Sequence, residues 1–136
     1  MTPAFRSTRT LCTADLERLC DFYVYVFDGR CCVRRFPPTG RRAALVDLPH
    51  GQGTLLLVEM PGPRAAPPVV ALDCAAGLAW ARRRLICLVA TDGMVREVGG
   101  CNVLDYRDPD GPARLLSPVR QVGRPYRCAG TRAAAR

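Results

Sequence analysis

The chain has 136 residues, 49% of them hydrophobic, and a formal net charge of +8. This length suffices for one domain with a hydrophobic core, and the apolar fraction excludes a chain that is disordered throughout. No apolar run approaches the roughly 20 residues of a membrane-spanning helix, and no apolar signal-peptide core follows the N-terminal charges, so we expect a cytoplasmic protein with no membrane partner.

The charged and sulfur-containing residues point to no nucleic-acid or zinc site. All twenty basic residues are arginines, and they are scattered without a nucleic-acid-binding motif, so we expect no nucleic-acid partner. The eight cysteines contain no C-x-x-C pair, and the single histidine, His50, has no cysteine near it in sequence. In a cytoplasmic protein we expect these cysteines to be mostly free thiols, near eight in number.

The first half of the chain predicts one strand, one helix and three further strands. Residues 8–14 form the first strand, and Asp15 is a suitable N-cap for a helix with Glu17 in its first turn. Apolar residues then recur at helical spacing: Leu16, Leu19, Tyr23 and Val26. Asp28-Gly29 ends this helix. Turns rich in Pro and Gly separate the three strand candidates, which lie at 30–36, 42–48 and 54–59.

A proline-rich linker at 61–68 precedes a second half with the same order of elements. A strand at 69–72 leads to Asp73, which is placed as an N-cap as Asp15 is in the first half. The rest of this half is a helix through Leu78, Ala81 and Leu85 and strands near 94–98, 101–107 and 113–117. We therefore predict one domain, residues 1–120, with modules at about 7–60 and 68–119, and a mobile Arg- and Ala-rich tail at 121–136.

A turn in the second half, together with the start of the first helix, resembles a known family. The turn Asp108-Pro109-Asp110-Gly111 joins two apolar runs, as in a β-hairpin. With the segment 13–23 (TADLERLCDFY) it resembles the vicinal oxygen chelate superfamily, which includes glyoxalase I, extradiol dioxygenases and bleomycin-resistance proteins. The resemblance covers residues 7–119. It implies an α+β fold in which paired βαβββ modules form a curved sheet groove, often completed by a second chain, so we expect a homodimer.

The resemblance also implies where a metal would bind. Enzymes of this superfamily hold a divalent metal with His and Glu side chains from the first and fourth strands of each half. The corresponding positions here are Thr8, Leu56, Val69 and Leu115, and a shift of one residue introduces no His or carboxylate. Apolar side chains do not bind such cations, so we expect neither a metal nor another cofactor.

Strand alternation defines a candidate ligand-binding face around these positions. Thr10 shares a face with Thr8, Val58 with Leu56, and Ala71 with Val69. Phe36 and Tyr106 are candidates for stacking on a ligand, and Arg114 would pair with an acidic or phenolate oxygen if it faces the groove. The candidate set is Thr8, Thr10, Phe36, Leu56, Val58, Val69, Ala71, Tyr106, Arg114 and Leu115. The competing interpretation is that these residues pack a filled core.

The metal-free, antibiotic-binding members of the superfamily suggest a function. We predict a small-molecule-binding protein that confers resistance by sequestering a bulky aromatic natural product without altering it. The alternative is a metal-independent enzyme of the same fold (an isomerase, cyclase or lyase of natural-product biosynthesis), which needs a convergent acid–base pair. The groups available for it are His50, Glu59, Asp73, Asp105 and Tyr106. A scaffold or regulatory subunit with no ligand is the third reading.

Overall fold

The computed structural model describes residues 8–35, 40–49, 52–64 and 66–119, with the side chains of residues 8, 9, 34 and 35 left aside. The elements of the first half are β1 (Thr8–Thr13), α1 (Leu16–Phe27), β2 (Arg30–Arg35), β3 (Arg42–Leu48) and β4 (Gly53–Glu59). Those of the second are β5 (Val69–Ala71), α2 (Ala75–Cys87), β6 (Val95–Val98), β7 (Cys101–Asp108) and β8 (Gly111–Pro118). Phe36, His50 and the 121–136 tail lie outside the described residues.

The strands form two four-stranded sheets with the same layout, β1-β4-β3-β2 and β5-β8-β7-β6. In each sheet the first strand of the half pairs in parallel with the fourth, and the remaining neighbours are antiparallel. A parallel pair needs a long crossover connection, and in each half that connection contains the helix and the two intervening strands. The predicted α+β fold of paired βαβββ modules is confirmed.

The two helices begin differently. Asp15 caps α1, because its carboxylate accepts a hydrogen bond from the backbone N–H of Arg18. The N-cap of α2 is Cys74, which makes no side-chain capping hydrogen bond. The prediction of Asp73 as N-cap is therefore wrong by one residue. The backbone N–H of Asp73 instead donates to Oε1 of Gln52, which holds this residue just before the helix.

Each helix covers one face of its sheet, and the core lies between them. Helix α1 packs on β3 and β4, while α2 packs on β7 and β8. Because side chains alternate along a strand, every second residue points into this core. Leu55 and Leu57 do so in β4, and Leu104 and Leu115 do so in β7 and β8. We call the opposite, helix-free face of both sheets the open face.

A buried polar cluster joins the two halves beneath the helices. The Tyr23 hydroxyl of α1 donates to Oδ2 of Asp108 at 2.6 Å and lies 2.8 Å from the Tyr106 hydroxyl. Since the one proton of Tyr23 goes to Asp108, Tyr106 is the donor to Tyr23. Arg64, from the connection between the halves, donates to the same Oδ2 at 2.8 Å. We call these four residues the Tyr23–Asp108 cluster.

One pair of cysteines lies together in the structure, Cys20 of α1 and Cys31 of β2. That the cysteines are mostly free thiols stays a prediction. The free cysteines among the described residues are Cys12, Cys32, Cys87 and Cys101. Over the same described part of the chain, no helix is both long enough and apolar enough to cross a membrane.

Candidate functional site

Strand register brings the candidate residues together in pairs on the open face. In the first half Thr10 lies opposite Leu56 on the parallel strands β1 and β4. In the second half Val69 lies opposite Arg114 on β5 and β8. Thr10, Val69 and Arg114 are exposed and Leu56 is half-buried, as the helix-free face of a sheet requires. Two residues further along the same strands, Cys12 pairs with Val58, and Ala71 pairs with Leu116.

Two candidates face the other way. Leu115 is fully buried and pairs with Val70, and Tyr106, 4% exposed, pairs with Ala113. Both belong to the core beneath the helices, although Tyr106 also contributes to the lining of the depression beside Arg114. Leu115 does not line that depression. The hairpin turn explains the difference, because Asp108 pairs directly with Gly111 and this sets the register of β8. Alternation from that pair turns residue 115 inward and Arg114 outward.

Tyr106 uses its ring within the core. Its ring stacks on that of Phe22 with centroids 6.3 Å apart and meets the ring of Tyr23 edge-on at 6.5 Å. Its ring and its hydroxyl are therefore used in core packing and in the Tyr23–Asp108 cluster. The side chains of the candidates Thr8 and Phe36 lie outside the described part of the molecule.

The two open-face pairs are equivalent by position. Thr10 and Val69 each lie five residues before a helix N-cap, Asp15 and Cys74 respectively. Both stand on the first strand of their half, where the superfamily resemblance implies a metal ligand. Their partners, Leu56 and Arg114, stand on the fourth strand, where it implies the second ligand. By this equivalence Thr10 and Arg114, rather than Thr8 and Leu115, lie opposite Leu56 and Val69 on the open face.

This set of four side chains does not fit a divalent metal. A hydroxyl, two aliphatic groups and a guanidinium supply no carboxylate or imidazole, and a guanidinium repels a cation. Over the described ranges as a whole, no group of three or more His, Cys, Asp or Glu residues is placed to hold a metal ion. We therefore derive no chemistry that passes through a metal at these positions.

In place of a metal site, the open face of the second half carries a three-residue charged cluster. Asp105 of β7 accepts from Arg114 Nε at 2.7 Å through Oδ1, and from Arg96 Nη2 of β6 at 3.0 Å through Oδ2. The hydrogen bond from Arg114 holds the pKa of Asp105 below its usual value, and Asp105 raises the pKa of Arg114. Asp105 and Arg114 are therefore both charged at neutral pH, and two arginines face one carboxylate in this cluster.

Arg114 stands at the side of a shallow depression beside the exposed Val69. The depression has a volume of about 510 Å³, and its lining also includes Pro67, Asp105 and Pro112. Arg114 directs Nε and, at 3.4 Å, Nη2 to Asp105. Its Nη1 has no hydrogen-bond partner among the residues that the structure describes. The sequence left the facing of Arg114 open, and the structure turns it toward the open face.

The acid–base groups named from the sequence are dispersed. Glu59, at the end of β4, forms an ion pair with Arg42 at 2.8 Å. Asp105 is on the open face of the other sheet, and Tyr106 lies on the covered face of the same strand as Asp105. Asp73 lies in the turn before α2, and His50 lies outside the described residues. These positions assemble no acid–base pair from Glu59, Asp105 and Tyr106.

Several solved structures have this fold. A glyoxylase/bleomycin resistance protein/dioxygenase domain from Frankia sp. EAN1pec is 22% identical, with 87% of this chain and 93% of that chain covered and a TM-score of 0.64. A lactoylglutathione lyase from Agrobacterium tumefaciens is 20% identical, with coverage of 81% and 90% and a TM-score of 0.56. The fosfomycin resistance protein FosX from Listeria monocytogenes, in complex with Mn(II), is 12% identical, with coverage of 85% and 92% and a TM-score of 0.55.

These likenesses are structural. No protein-family model matches the sequence, and no curated protein does. The layout of strands and helices and the neighbouring structures agree with the resemblance that the DPDG turn and the first helix indicated. The chain has the vicinal oxygen chelate fold.

Proposed function

We propose that this protein binds a small organic ligand on its open face without a metal. The observation that carries the proposal is the pair of equivalent positions, Thr10 with Leu56 and Val69 with Arg114. At these positions the superfamily resemblance implies metal ligands. In this chain they hold a hydroxyl, two aliphatic side chains and a guanidinium instead. Such groups bind organic surfaces and anions, and they do not hold a cation.

The chemistry of the open face indicates the class of ligand. Leu56, Val58 and Val69 offer partly exposed apolar surface, which gains about 25 cal/mol for each Å² that a ligand covers. Arg114 adds a fixed positive charge, oriented by Asp105, with Nη1 available to an acceptor. A flat aromatic compound with a phenolate or carboxylate oxygen satisfies both requirements. Binding without chemical change corresponds to resistance by sequestration, and a glyoxylase/bleomycin resistance protein/dioxygenase domain is among the proteins with this fold.

We further propose that a second copy of the chain completes the groove. The open face of one chain leaves Thr10, Val69 and Arg114 exposed, so one wall alone covers only one side of a ligand. A closed two-fold pair is the commonest way for a chain to bury such a surface. Light scattering of a dimer gives twice the 14.9 kDa chain mass. A monomer that binds the ligand tightly would contradict the two-chain groove.

Binding and chemical change are tested together. The protein is titrated calorimetrically with aromatic natural products that carry a phenol or carboxylic acid, and the recovered compound is analysed by mass spectrometry. We expect saturable binding with unchanged mass. Val69→Asp should abolish it, because the new carboxylate replaces apolar contact surface, repels an anionic ligand and can itself pair with Arg114 on the neighbouring strand. Arg114→Gln should weaken the binding of anionic compounds by at least about tenfold, as expected for loss of a charge-assisted hydrogen bond.

The matched control is Arg18→Gln, which removes an equal charge from the exposed side of α1. It should leave affinity unchanged. If Arg18→Gln and Arg114→Gln weaken binding equally, the effect is one of net charge and the open face is not the site. Turnover of any compound would favour the metal-independent enzyme, and stoichiometric metal in protein purified without an affinity tag would contradict the proposal.

A further inference from the structure

A separate cavity lies on the helix-covered side of the molecule, at the seam between the two halves. Its volume is about 320 Å³, and most of its lining is apolar. The walls come from Phe27 at the end of α1, Leu48 at the end of β3 and Trp80 on α2. Phe27 and Leu48 are buried, and Trp80 is 39% exposed at the cavity wall. Two aromatic rings and an aliphatic side chain thus surround a space large enough for a small molecule.

A buried amide lies in the wall of this cavity. Gln52 is only 6% exposed, and its Oε1 accepts from the backbone N–H of Asp73 at 2.9 Å. That hydrogen bond identifies the oxygen and turns the NH₂ group of the amide the other way. Nε2 has no hydrogen-bond partner among the described residues. This nitrogen is accessible at the cavity wall, so it can donate to an acceptor that a ligand brings.

Gly77 makes room for this amide. A Cβ built at position 77 would come 2.1 Å from Gln52 Nε2, which is far inside van der Waals contact. Gly77 lies in the first turn of α2, where glycine lowers helix stability relative to alanine. A glycine is therefore required at position 77, because any larger side chain would displace the Gln52 amide from the cavity wall.

The N-terminus of α2 and one arginine contribute positive charge to the same wall. The N-terminus of the 13-residue helix α2 lies beside Gln52, and neither a side-chain cap nor an acidic residue in the first turn offsets its dipole. Arg83 also lines the cavity. Asp28, at the C-terminal end of α1, contributes the one carboxylate of the lining, and it is exposed to solvent.

We propose that this cavity is a second binding site, which takes a small aromatic carboxylate. The aromatic ring lies between Phe27 and Trp80. The carboxylate accepts a hydrogen bond from Gln52 Nε2 and faces the N-terminus of α2, where an anion is stabilised by the helix dipole. This site is separate from the open face, because the residues of the two sites lie on opposite faces of the sheets.

The composition of the chain makes the site directly measurable. Trp80 is the only tryptophan, so the intrinsic fluorescence excited at long wavelength reports on this cavity wall alone. We use 3-phenylpropanoate as the probe and 3-phenylpropanamide as its uncharged counterpart. The carboxylate should shift the Trp80 emission in a saturable way, and the amide should bind at least about tenfold more weakly, since it lacks the charge that the helix N-terminus favours.

Gln52→Glu is the decisive variant. It keeps an oxygen that accepts from Asp73 N–H but replaces the donor by a negative charge, so binding of the carboxylate should fall by at least about tenfold. The apolar walls are unchanged, and circular dichroism verifies that the variant is folded. Arg114→Gln, on the open face, is the control and should leave the fluorescence titration as it is.

Three results with the cavity itself would overturn the proposal, and a fourth comes from the control variant. One is the absence of a saturable response to the carboxylate, and another is equal binding of the acid and the amide. The third is a Gln52→Glu variant that folds and binds the acid as the original chain does. Loss of the signal in Arg114→Gln would assign the ligand to the open face instead, so the two sites are tested independently of each other.

Discussion

Strand β7 carries two aspartates, three residues apart, that are used in opposite ways. Asp105 lies on the open face, with its side chain 54% exposed between two exposed arginines. Asp108 lies at the end of the same strand, with its side chain fully buried, and accepts from Arg64 and from the Tyr23 hydroxyl. Both side chains are carboxylates, and they differ in their access to water.

The comparison separates stability from recognition. Water already solvates the exposed pair of Asp105 and Arg114, so forming it changes the free energy of folding little. Water does not reach Asp108, and every hydrogen bond that it loses leaves an unsatisfied buried group. We therefore assign the Asp108 side to holding the two halves together, whereas Asp105 belongs to the face on which we propose that a ligand binds. Four experiments test this division.

The largest expected effect is that of Asp108→Ala. This change leaves the guanidinium of Arg64, only 11% exposed, and the Tyr23 hydroxyl without their shared acceptor. Removing one partner of a buried ion pair costs about 3–5 kcal/mol. The free energy of unfolding from urea denaturation should fall by that amount, or the variant should be recovered unfolded. Asp105→Ala on the same strand is the matched control, and a similar loss there would end the distinction.

The tyrosine hydroxyls should rank in a definite order. The Tyr23 hydroxyl donates a hydrogen bond to the Asp108 carboxylate and accepts one from the Tyr106 hydroxyl. Tyr23→Phe therefore breaks two hydrogen bonds and costs about 1.5–3 kcal/mol. Tyr106→Phe removes one hydrogen bond between neutral groups and costs about 0.5–1.5 kcal/mol. Denaturant unfolding of both variants gives the order directly. A larger loss for Tyr106→Phe would contradict the assigned direction of the hydrogen bonds.

Alkaline pH should act on the same cluster. Burial raises the pKa of Tyr23 and of Tyr106 above the ordinary value of 10.0. The folded state thus holds these protons more tightly than the unfolded state does. The stability that they contribute is fully present below pH 10 and is lost as pH rises from there toward the folded-state pKa values. Each tyrosine should lower the unfolding free energy by up to about 1.4 kcal/mol per pH unit.

Unfolding curves at a series of pH values on either side of pH 10 measure how steeply the unfolding free energy falls with pH. The variant that carries both Tyr23→Phe and Tyr106→Phe is the control, and its stability should fall less steeply. Equal slopes in the two proteins would place the alkaline sensitivity elsewhere in the molecule.

The sequence predicted those features of the fold that local residue patterns determine. Periodicity placed both helices and all eight strands, and the DPDG turn with the first helix indicated the fold. The facing of β8 depends on its register, and the pairing of Asp108 with Gly111 turns Arg114 rather than Leu115 to the open face. The Tyr23–Asp108 cluster joins residues 83 and 85 positions apart, and no local pattern reports such contacts. Gln52 and Gly77 likewise become meaningful only where the two halves meet.

The smallest expected effect is that of Asp105→Asn on stability. Arg114 lowers the pKa of Asp105 in the folded state below the ordinary 3.8, so its contribution is present above pH 3.8 and is lost as pH falls below it. Because the group is more than half exposed, we expect a cost of no more than about 1 kcal/mol at neutral pH. At about 1 M salt, where the screening length is about 3 Å, the difference should vanish. Urea unfolding of both proteins at low and high salt measures it, and a cost that salt leaves unchanged would mean that Asp105, like Asp108, supports the fold.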